Sequence, residues 1–134
     1  MNVFLKVGDS RPGGKPISEI VQLGDFFYVS GQTGTGQTFQ EQALTALYRV
    51  IEVLKDLDLR LDHIIKFNIY LTDITLEDEF LTIFHNFVEA PYPAVTVVEV
   101  AGLPGHSMIC IEGQGVNTLR HERKMNMEDC PDCE

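Results

Sequence analysis

The segment IKFNIYLT, residues 65–72, alternates strictly between apolar and more polar side chains. Successive side chains of a β-strand point to opposite faces of the sheet, so a period of two places every second residue on one face. The apolar set is Ile65, Phe67, Ile69 and Leu71. The pattern predicts a strand that covers a hydrophobic core with one face and leaves its other face polar.

A helix is predicted before this strand, from Thr38 to about Leu57. Thr38 followed three residues later by Glu41 is a capping-box signature for the start of a helix. Large aliphatic residues then recur at helical spacing, which predicts one buried stripe. The expected stripe is Leu44, Leu47, Ile51, Leu54 and Leu57.

A second helix is predicted after the strand, from about Thr75 to Glu89. Thr75 is expected to cap this helix, and two prolines that follow are expected to end it. The remaining β-rich stretches give the order β-β-β-α-β-α-β-β, which is typical of an α+β domain with two helices on one face of a mixed sheet. Their approximate ranges are 3–7, 20–23, 26–30, 94–101 and 107–116.

The predicted strand at 94–101 is apolar on both of its faces. Two-sided hydrophobicity in a strand implies that both faces are covered. Since the chain supplies only two helices, the second face is expected to meet another subunit. We therefore expect a homo-oligomer.

Chain length and net charge limit the number of domains and the kinds of partner that can be expected. The 134 residues suffice for one domain, predicted at 1–119, with an acidic C-terminal tail at 120–134. A formal net charge of −10 disfavours binding to nucleic acid or to an anionic membrane. No stretch is apolar enough to cross a bilayer and the N-terminus lacks a secretory pattern, so a cytoplasmic protein is expected.

The cysteines give little support for metal or redox chemistry. Cys130 and Cys133 form a C-x-x-C pair, but acidic neighbours favour neutral thiols and fewer than four zinc ligands lie nearby. A mobile polar tail is the preferred interpretation, and a zinc site shared between subunits stays open. Neither a metal nor a cofactor is predicted.

Two places in the sequence carry candidate chemistry. The glycine-rich segment 30–36 either lets backbone N–H groups approach a ligand or is a turn into the first helix. On the last strand, Cys110 and Glu112 share a face about 7 Å apart. Glu112 is a candidate general base and Cys110 a candidate nucleophile or weak proton donor. The alternative is a half-buried cysteine beside a glutamate that accepts local backbone hydrogen bonds.

Several short motifs, taken in their order and spacing, resemble the RidA/YjgF family of reactive-intermediate deaminases, also called the endoribonuclease L-PSP family, over roughly residues 15–117. These motifs are Leu23-Gly24-Asp25, Val29-Ser30-Gly31-Gln32, Gln42, residues 65–73, Pro93-Ala94, Val98-Glu99-Val100-Ala101, Leu103-Pro104 and Ile111-Glu112. The resemblance implies a chorismate-mutase-like α+β fold and a homotrimer with ligand clefts between subunits. It also implies hydrolysis of enamine and imine intermediates to a 2-oxo acid and ammonia, without metal or cofactor.

The same resemblance assigns site residues and exposes departures from the family pattern. The implied substrate-binding residues are Ser30, Gly31, Ile17, Phe84 and Val95, and the implied catalytic residues are Glu112 and Cys110. Val95 stands where typical members place an arginine that clamps the substrate carboxylate. Cys110 replaces a carboxylate, Ile17 an aromatic residue and Phe84 a helix asparagine, so the implied cleft is more apolar and lacks its cation.

Two functions remain open on these grounds. The first is a divergent hydrolase of C=N compounds, in which Glu112 or Cys110 moves the proton and Ser30 and Gly31 position the ligand. The second is a non-catalytic trimer that binds a small metabolite in the same cleft or serves regulation. Poor handling of 2-imino acids is expected in both cases, because the carboxylate clamp is missing. The alternative is a guanidinium supplied from elsewhere, such as Arg11 across an interface. Ribonuclease activity is disfavoured by the acidic charge and the lack of a histidine pair.

Overall fold

A six-stranded mixed sheet organises the computed structural model, which describes residues 4–7 and 15–128. Its strands are β1 (Phe4–Val7), β2 (Ile20–Leu23), β3 (Phe26–Thr33), β4 (Ile64–Leu71), β5 (Ala94–Glu99) and β6 (Ile109–Val116). They lie in the order β1-β2-β3-β6-β4-β5. Neighbouring strands are antiparallel except β4 and β5, which run parallel and are connected through a helix.

Two helices pack on one face of the sheet. Helix α1 (Phe39–Lys55) contacts β3 and β6, and helix α2 (Glu77–His85) packs beside α1 and over β4. The fully buried core between the helices and the sheet includes Phe27, Leu47, Val50, Phe67, Ile69, Phe80, Ile109 and Ile111. The predicted α+β class, with two helices on one face of a mixed sheet, is confirmed.

The start of α1 follows its predicted capping signature. Thr38 Oγ1 accepts a hydrogen bond from the Glu41 N–H at 3.1 Å, which satisfies one of the helix's unpaired N–H groups. Glu41 Oε2 reaches back and accepts a hydrogen bond from the Gln37 N–H at 2.8 Å, one residue before the cap. The sequence therefore determines this helix start locally.

The buried stripe of α1 differs from the predicted one. Leu47 and Leu54 are fully buried as expected, whereas Leu44, Ile51 and Leu57 are only half-buried. The face turned to the sheet also carries Ala43, Ala46 and Val50, all fully buried. The prediction was partly wrong because it weighted large side chains, while small alanines allow the helix to approach the sheet closely.

The entry into α2 also differs from the prediction. Asp73, not Thr75, is the capping residue: its Oδ1 accepts hydrogen bonds from the Thr75 N–H at 3.0 Å and the Thr75 hydroxyl at 2.6 Å. The capped turn is a 3₁₀ helix at Ile74–Leu76, and α2 follows it. A carboxylate two residues upstream is a stronger acceptor than a hydroxyl, which explains why Thr75 becomes the donor.

One residue of the alternating strand departs from its expected face. Phe67, Ile69 and Leu71 are fully buried as predicted, but Ile65 is 57% exposed and Ile64 is buried in its place. The pairing of β4 with β6 shifts register between Ile64 and Lys66. This irregularity reverses the alternation at the first residues of the strand.

The segment after residue 119, expected to be a polar tail, begins with helix α3 (Leu119–Glu128). Glu122, in its first turn, pairs with the Arg60 guanidinium and with His63 Nε2 at 3.0 Å. Both contacts hold the pKa of Glu122 down at about 2, with Arg60 the larger cause. Cys130 and Cys133 lie outside the described residues, so the tail boundary and their role stay predictions.

Candidate functional site

The face of the sheet turned away from α1 and α2 carries a polar cluster at its centre. Strands β4 and β6 are adjacent and antiparallel, and their register pairs Asn68 with Glu112 and Tyr70 with Cys110. Directly paired residues project to the same face of a sheet. The predicted pair Cys110 and Glu112 therefore shares its face with Asn68 and Tyr70, all four half-buried.

Glu112 is held by one of its two carboxylate oxygens. Its Oε1 accepts a hydrogen bond from Tyr70 Oη at 2.6 Å and a second from Asn68 Nδ2 at 3.1 Å. Its Oε2 accepts none within the described part of the chain, where every buried side-chain oxygen or nitrogen has a partner. Oε2 is therefore not completely buried, and the carboxylate presents one hydrogen-bonded oxygen and one oxygen that no described residue engages.

The environment of the Tyr70 phenol favours its protonated form, which donates a hydrogen bond. The hydrogen bond to Glu112, with burial as the second cause, raises the pKa of Tyr70 to about 12. At neutral pH the hydroxyl is therefore fully protonated and donates to the carboxylate. The two hydrogen bonds to Glu112 Oε1 thus come from side chains and not from local backbone N–H groups.

Cys110 fills the space created by the missing side chain of Gly31. A Cβ placed at position 31 would lie 2.6 Å from Cys110 Sγ, so the sulfur packs directly over the glycine. The pairing of β3 with β6 is irregular between Val29 and Gln32, which is where Gly31 lies. The space that a glycine leaves at position 31 is therefore occupied by the Cys110 side chain of the same chain.

Ser30 belongs to strand β3 and not to a glycine-rich loop. Its hydroxyl donates a hydrogen bond to the Ser18 carbonyl at 2.7 Å, and its N–H donates one to the Glu19 carbonyl at 2.9 Å. These bonds fix the segment that carries Ile17, whose side chain is 39% exposed. Ser30 and Ile17 are thus brought close together, and the Ser30 hydroxyl already serves a structural bond.

Two of the predicted ligand-binding residues lie on the other side of the sheet. Phe84 is 4% exposed and packs edge-on against Phe67 with ring centroids 5.0 Å apart. Val95 is paired in register with Phe67 and packs against the same core. Within one chain, α2 and the inner face of β5 help to build the core, so Phe84 and Val95 do not share a sheet face with Glu112. Their place in a cleft between subunits stays a prediction.

Asn68 and Tyr70 are the site residues that sequence reasoning missed. The alternation of β4 marks both as part of the polar face of the strand, and no functional role is predicted for that face. A signal was present, since a polar strand face adjacent to the Cys110 and Glu112 face forms one continuous surface. Only the register between β4 and β6, however, shows which residues touch.

A groove of about 790 Å³ lies elsewhere, at the start of β4 and before β5. Its lining includes Arg60, Asp62, Ile65, His85 and Tyr92, and none of the predicted site residues. Among the described residues, no three His, Cys, Asp or Glu side chains are grouped so that they could hold a metal ion. None of the described helices has the length and apolar character needed to cross a membrane.

Fold and site together define a class of protein: an α+β fold whose sheet face opposite α1 and α2 presents a hydrogen-bonded carboxylate. Residues 10–116 match the family described as Endoribonuclease L-PSP. The chain belongs to this family, which is the RidA/YjgF family recognised from its motifs. Helix α3 lies beyond the matched residues.

Individual relatives agree with this assignment. A RutC family protein of Aquifex aeolicus is 31% identical over 72% of this chain and 85% of its own length. A 2-iminobutanoate/2-iminopropanoate deaminase of Dermatophagoides farinae is 30% identical over 72% of this chain and 82% of its own. The crystal structure of Rv2704, a YjgF/YER057c/UK114 family member of Mycobacterium tuberculosis, has a TM-score of 0.79 at 24% identity. The match spans 85% of this chain and 99% of the Rv2704 chain, and at this identity it is evidence for the fold only.

Proposed function

We propose that this protein hydrolyses small compounds with a C=N bond to a carbonyl compound and ammonia, with Glu112 as the general base. The observation that carries the proposal is the half-fixed carboxylate, whose Oε1 is held by two donors while Oε2 is not completely buried and is engaged by no described residue. A base of this kind needs a defined orientation and one free oxygen. Relatives named 2-iminobutanoate/2-iminopropanoate deaminase support the reaction class.

The chemistry needs only water and a movable proton. Water adds its oxygen to the C=N carbon while Glu112 Oε2 accepts a proton from it, and the nitrogen takes up the electron pair of the double bond. Glu112 then returns the proton to the nitrogen. Glu112 next accepts the hydroxyl proton of the resulting carbinolamine and delivers it to the nitrogen. The oxygen lone pair then forms the carbonyl group as the C–N bond breaks, which releases ammonia. Cys110, next to Tyr70 on the same face, is the second candidate for proton transfer or nucleophilic attack.

The substrate in this proposal lacks a carboxylate group. Val95 stands where the family resemblance places a carboxylate-clamping arginine, and its side chain packs on the core. A bidentate guanidinium is the strongest side-chain partner for a carboxylate, so its absence removes most of the preference for 2-imino acids. We therefore expect a carboxylate-free imine to be the better substrate.

A homotrimer completes the site in this proposal. On β5 the side chains of Ala94, Thr96 and Val98 are exposed, although the strand is apolar on this face as well. A second copy that covers this face would close a cleft over Glu112, and the segment with Ile17, Ser30 and Gly31 is available to line it. Sedimentation that reports only a 15.1 kDa particle at micromolar concentration would remove the cleft.

The test is an assay of ammonia and carbonyl release from freshly generated imines, with and without a carboxylate group. Glu112→Gln is expected to lower kcat by at least about 100-fold, the usual contribution of a general base. Gln114→Ala, on the same strand face two residues away, serves as the matched control and is expected to retain activity. Equal rates for Glu112→Gln and the parent protein would overturn the assignment of Glu112.

The second candidate function is a non-catalytic trimer that binds a small metabolite. Two observations favour it: Val95 replaces the arginine clamp, and Cys110 replaces a carboxylate of the family pattern. Absence of turnover with every imine tested, together with saturable binding of a small amine or carbonyl compound, would select this function over hydrolysis.

A further inference from the structure

We infer that Asn68 and Tyr70 are positioning residues that orient the Glu112 carboxylate. The ligand that this arrangement selects is a small cation without a carboxylate, such as a protonated imine or a primary ammonium ion. The inference rests on the proposed site, but it concerns binding and holds whether or not turnover follows. Neither residue belongs to the predicted site, and each contacts Glu112 directly.

The positioning argument comes from the backbone that carries the three side chains. Asn68 and Tyr70 are two residues apart on β4 and so point to the same face, while Glu112 lies opposite Asn68 on β6. The two strands are joined by the antiparallel ladder at the centre of the sheet. Two donors on one rigid strand therefore fix one oxygen of a carboxylate on the next strand, which orients the other oxygen outward.

The charge argument comes from the nature of the donors. An amide and a phenol satisfy Glu112 without neutralising it, and no ion pair joins Glu112 to a Lys, Arg or His within the residues that the structure describes. Lys66 shares the sheet face, but its ammonium group donates to Thr96 Oγ1 at 2.5 Å. The half-buried carboxylate therefore has no direct ion-pair partner among the described residues, and Lys66, which keeps its charge, is held by Thr96 instead.

A carboxylate without a direct ion-pair partner discriminates between ligands by the sign of their charge. It attracts a cation that comes within hydrogen-bond reach and repels a carboxylate, and burial strengthens both effects. The net charge of −10 on the whole chain acts in the same direction during encounter. Since the phenol stays protonated at neutral pH, Tyr70 contributes a donor and no further charge.

The experiment is an NMR titration of the purified full chain with n-propylammonium and, separately, with butyrate. The parent protein is expected to bind propylammonium at least about tenfold more tightly than butyrate. Tyr70→Phe and Asn68→Ala are each expected to weaken propylammonium binding about three- to tenfold, as for loss of one hydrogen bond to a charged group. Tyr28→Phe is the matched control, because Tyr28 lies on the same sheet face and is half exposed, and it is expected to bind as the parent does.

A spectroscopic readout separates positioning from general destabilisation. In the parent protein the Tyr70 phenol should titrate near pH 12, and in Glu112→Gln its pKa should fall back toward the ordinary value of about 10. Circular dichroism checks that each variant is folded. If Tyr70→Phe does not fold, the Tyr70 titration and the comparison of propylammonium with butyrate binding in the parent protein still test the inference.

The outcomes distinguish this inference from the proposed function. Equal affinity for the two probes, or unchanged propylammonium binding in both Tyr70→Phe and Asn68→Ala, overturns the inference even if imine hydrolysis depends on Glu112. Undetectable hydrolysis together with charge-selective binding that needs Tyr70 and Asn68 overturns the catalytic proposal and leaves the inference standing.

Discussion

The two faces of β4 and β6 show how one pair of strands serves two purposes. On the inner face, Phe67, Ile69, Ile109 and Ile111 are fully buried under α1 and α2. On the outer face, one residue along in each case, lie Asn68, Tyr70, Cys110 and Glu112, which are half-buried and form a polar cluster. The inner face stabilises the fold through apolar burial, and the outer face places functional groups on the rigid backbone that this burial creates.

The difference between the faces is tested most strongly at neighbouring residues. Phe67→Ala is expected to lower the free energy of unfolding by about 3–5 kcal/mol, because it opens a cavity in the core. Asn68→Ala, at the next residue, is expected to cost less than about 1.5 kcal/mol, since it removes one half-buried hydrogen bond. Urea unfolding monitored by circular dichroism measures both, and similar losses for the two variants would contradict the division between the faces.

The contact between Gly31 and Cys110 offers a test on the outer face itself. Gly31→Ala places a Cβ 2.6 Å from Cys110 Sγ, and the resulting crowding is expected to cost about 1–2 kcal/mol. In the double variant Gly31→Ala, Cys110→Ala the sulfur is gone, so the two substitutions should be coupled by about 1 kcal/mol. A double-mutant cycle of urea unfolding measures this coupling, and additive effects would show that the sulfur does not pack on the glycine.

The smallest expected effect on stability comes from a comparison of two glutamates, Glu112 and Glu122. Glu112 is held by neutral donors, whereas Glu122 is held by Arg60 and His63, which keeps its pKa at about 2, below the ordinary 4.5. A lowered pKa stabilises the folded state above pH 4.5, and this contribution is lost as the pH falls from about 4.5 to about 2. Since Glu122 is about one-third exposed, its pairing is expected to contribute no more than about 1 kcal/mol.

The corresponding variant is Glu122→Gln, which should remove this part of the acid dependence of stability. Thermal unfolding between pH 7 and pH 2 measures it, and hydrogen exchange of the α3 amides reports whether the helix itself loosens. Glu52→Gln is the control, because Glu52 pairs with Lys55 at the surface and both side chains are mostly exposed. If the difference in thermal stability between Glu122→Gln and the parent protein is the same at every pH from 7 to 2, the Glu122 carboxylate does not have this role.

Local pattern was sufficient for several features of this molecule. The capping signature at Thr38 located the start of α1, and the alternation in β4 located a one-sided strand. The spacing of Cys110 and Glu112 placed the two side chains on one face. Periods of 3.6 and 2.0 residues are properties of the backbone itself, so they are visible without knowledge of the fold.

Other features depend on contacts between distant segments. The register of β4 against β6 unites Tyr70 with Glu112 across 42 residues, and the irregularity after Ile64 turns Ile65 outward. Packing of α2 on β4 places Phe84 in the core and away from Glu112. An amino-acid pattern specifies which side chains share a face of one strand, but strand register and helix placement minimise the free energy of the whole chain, so they emerge only in three dimensions.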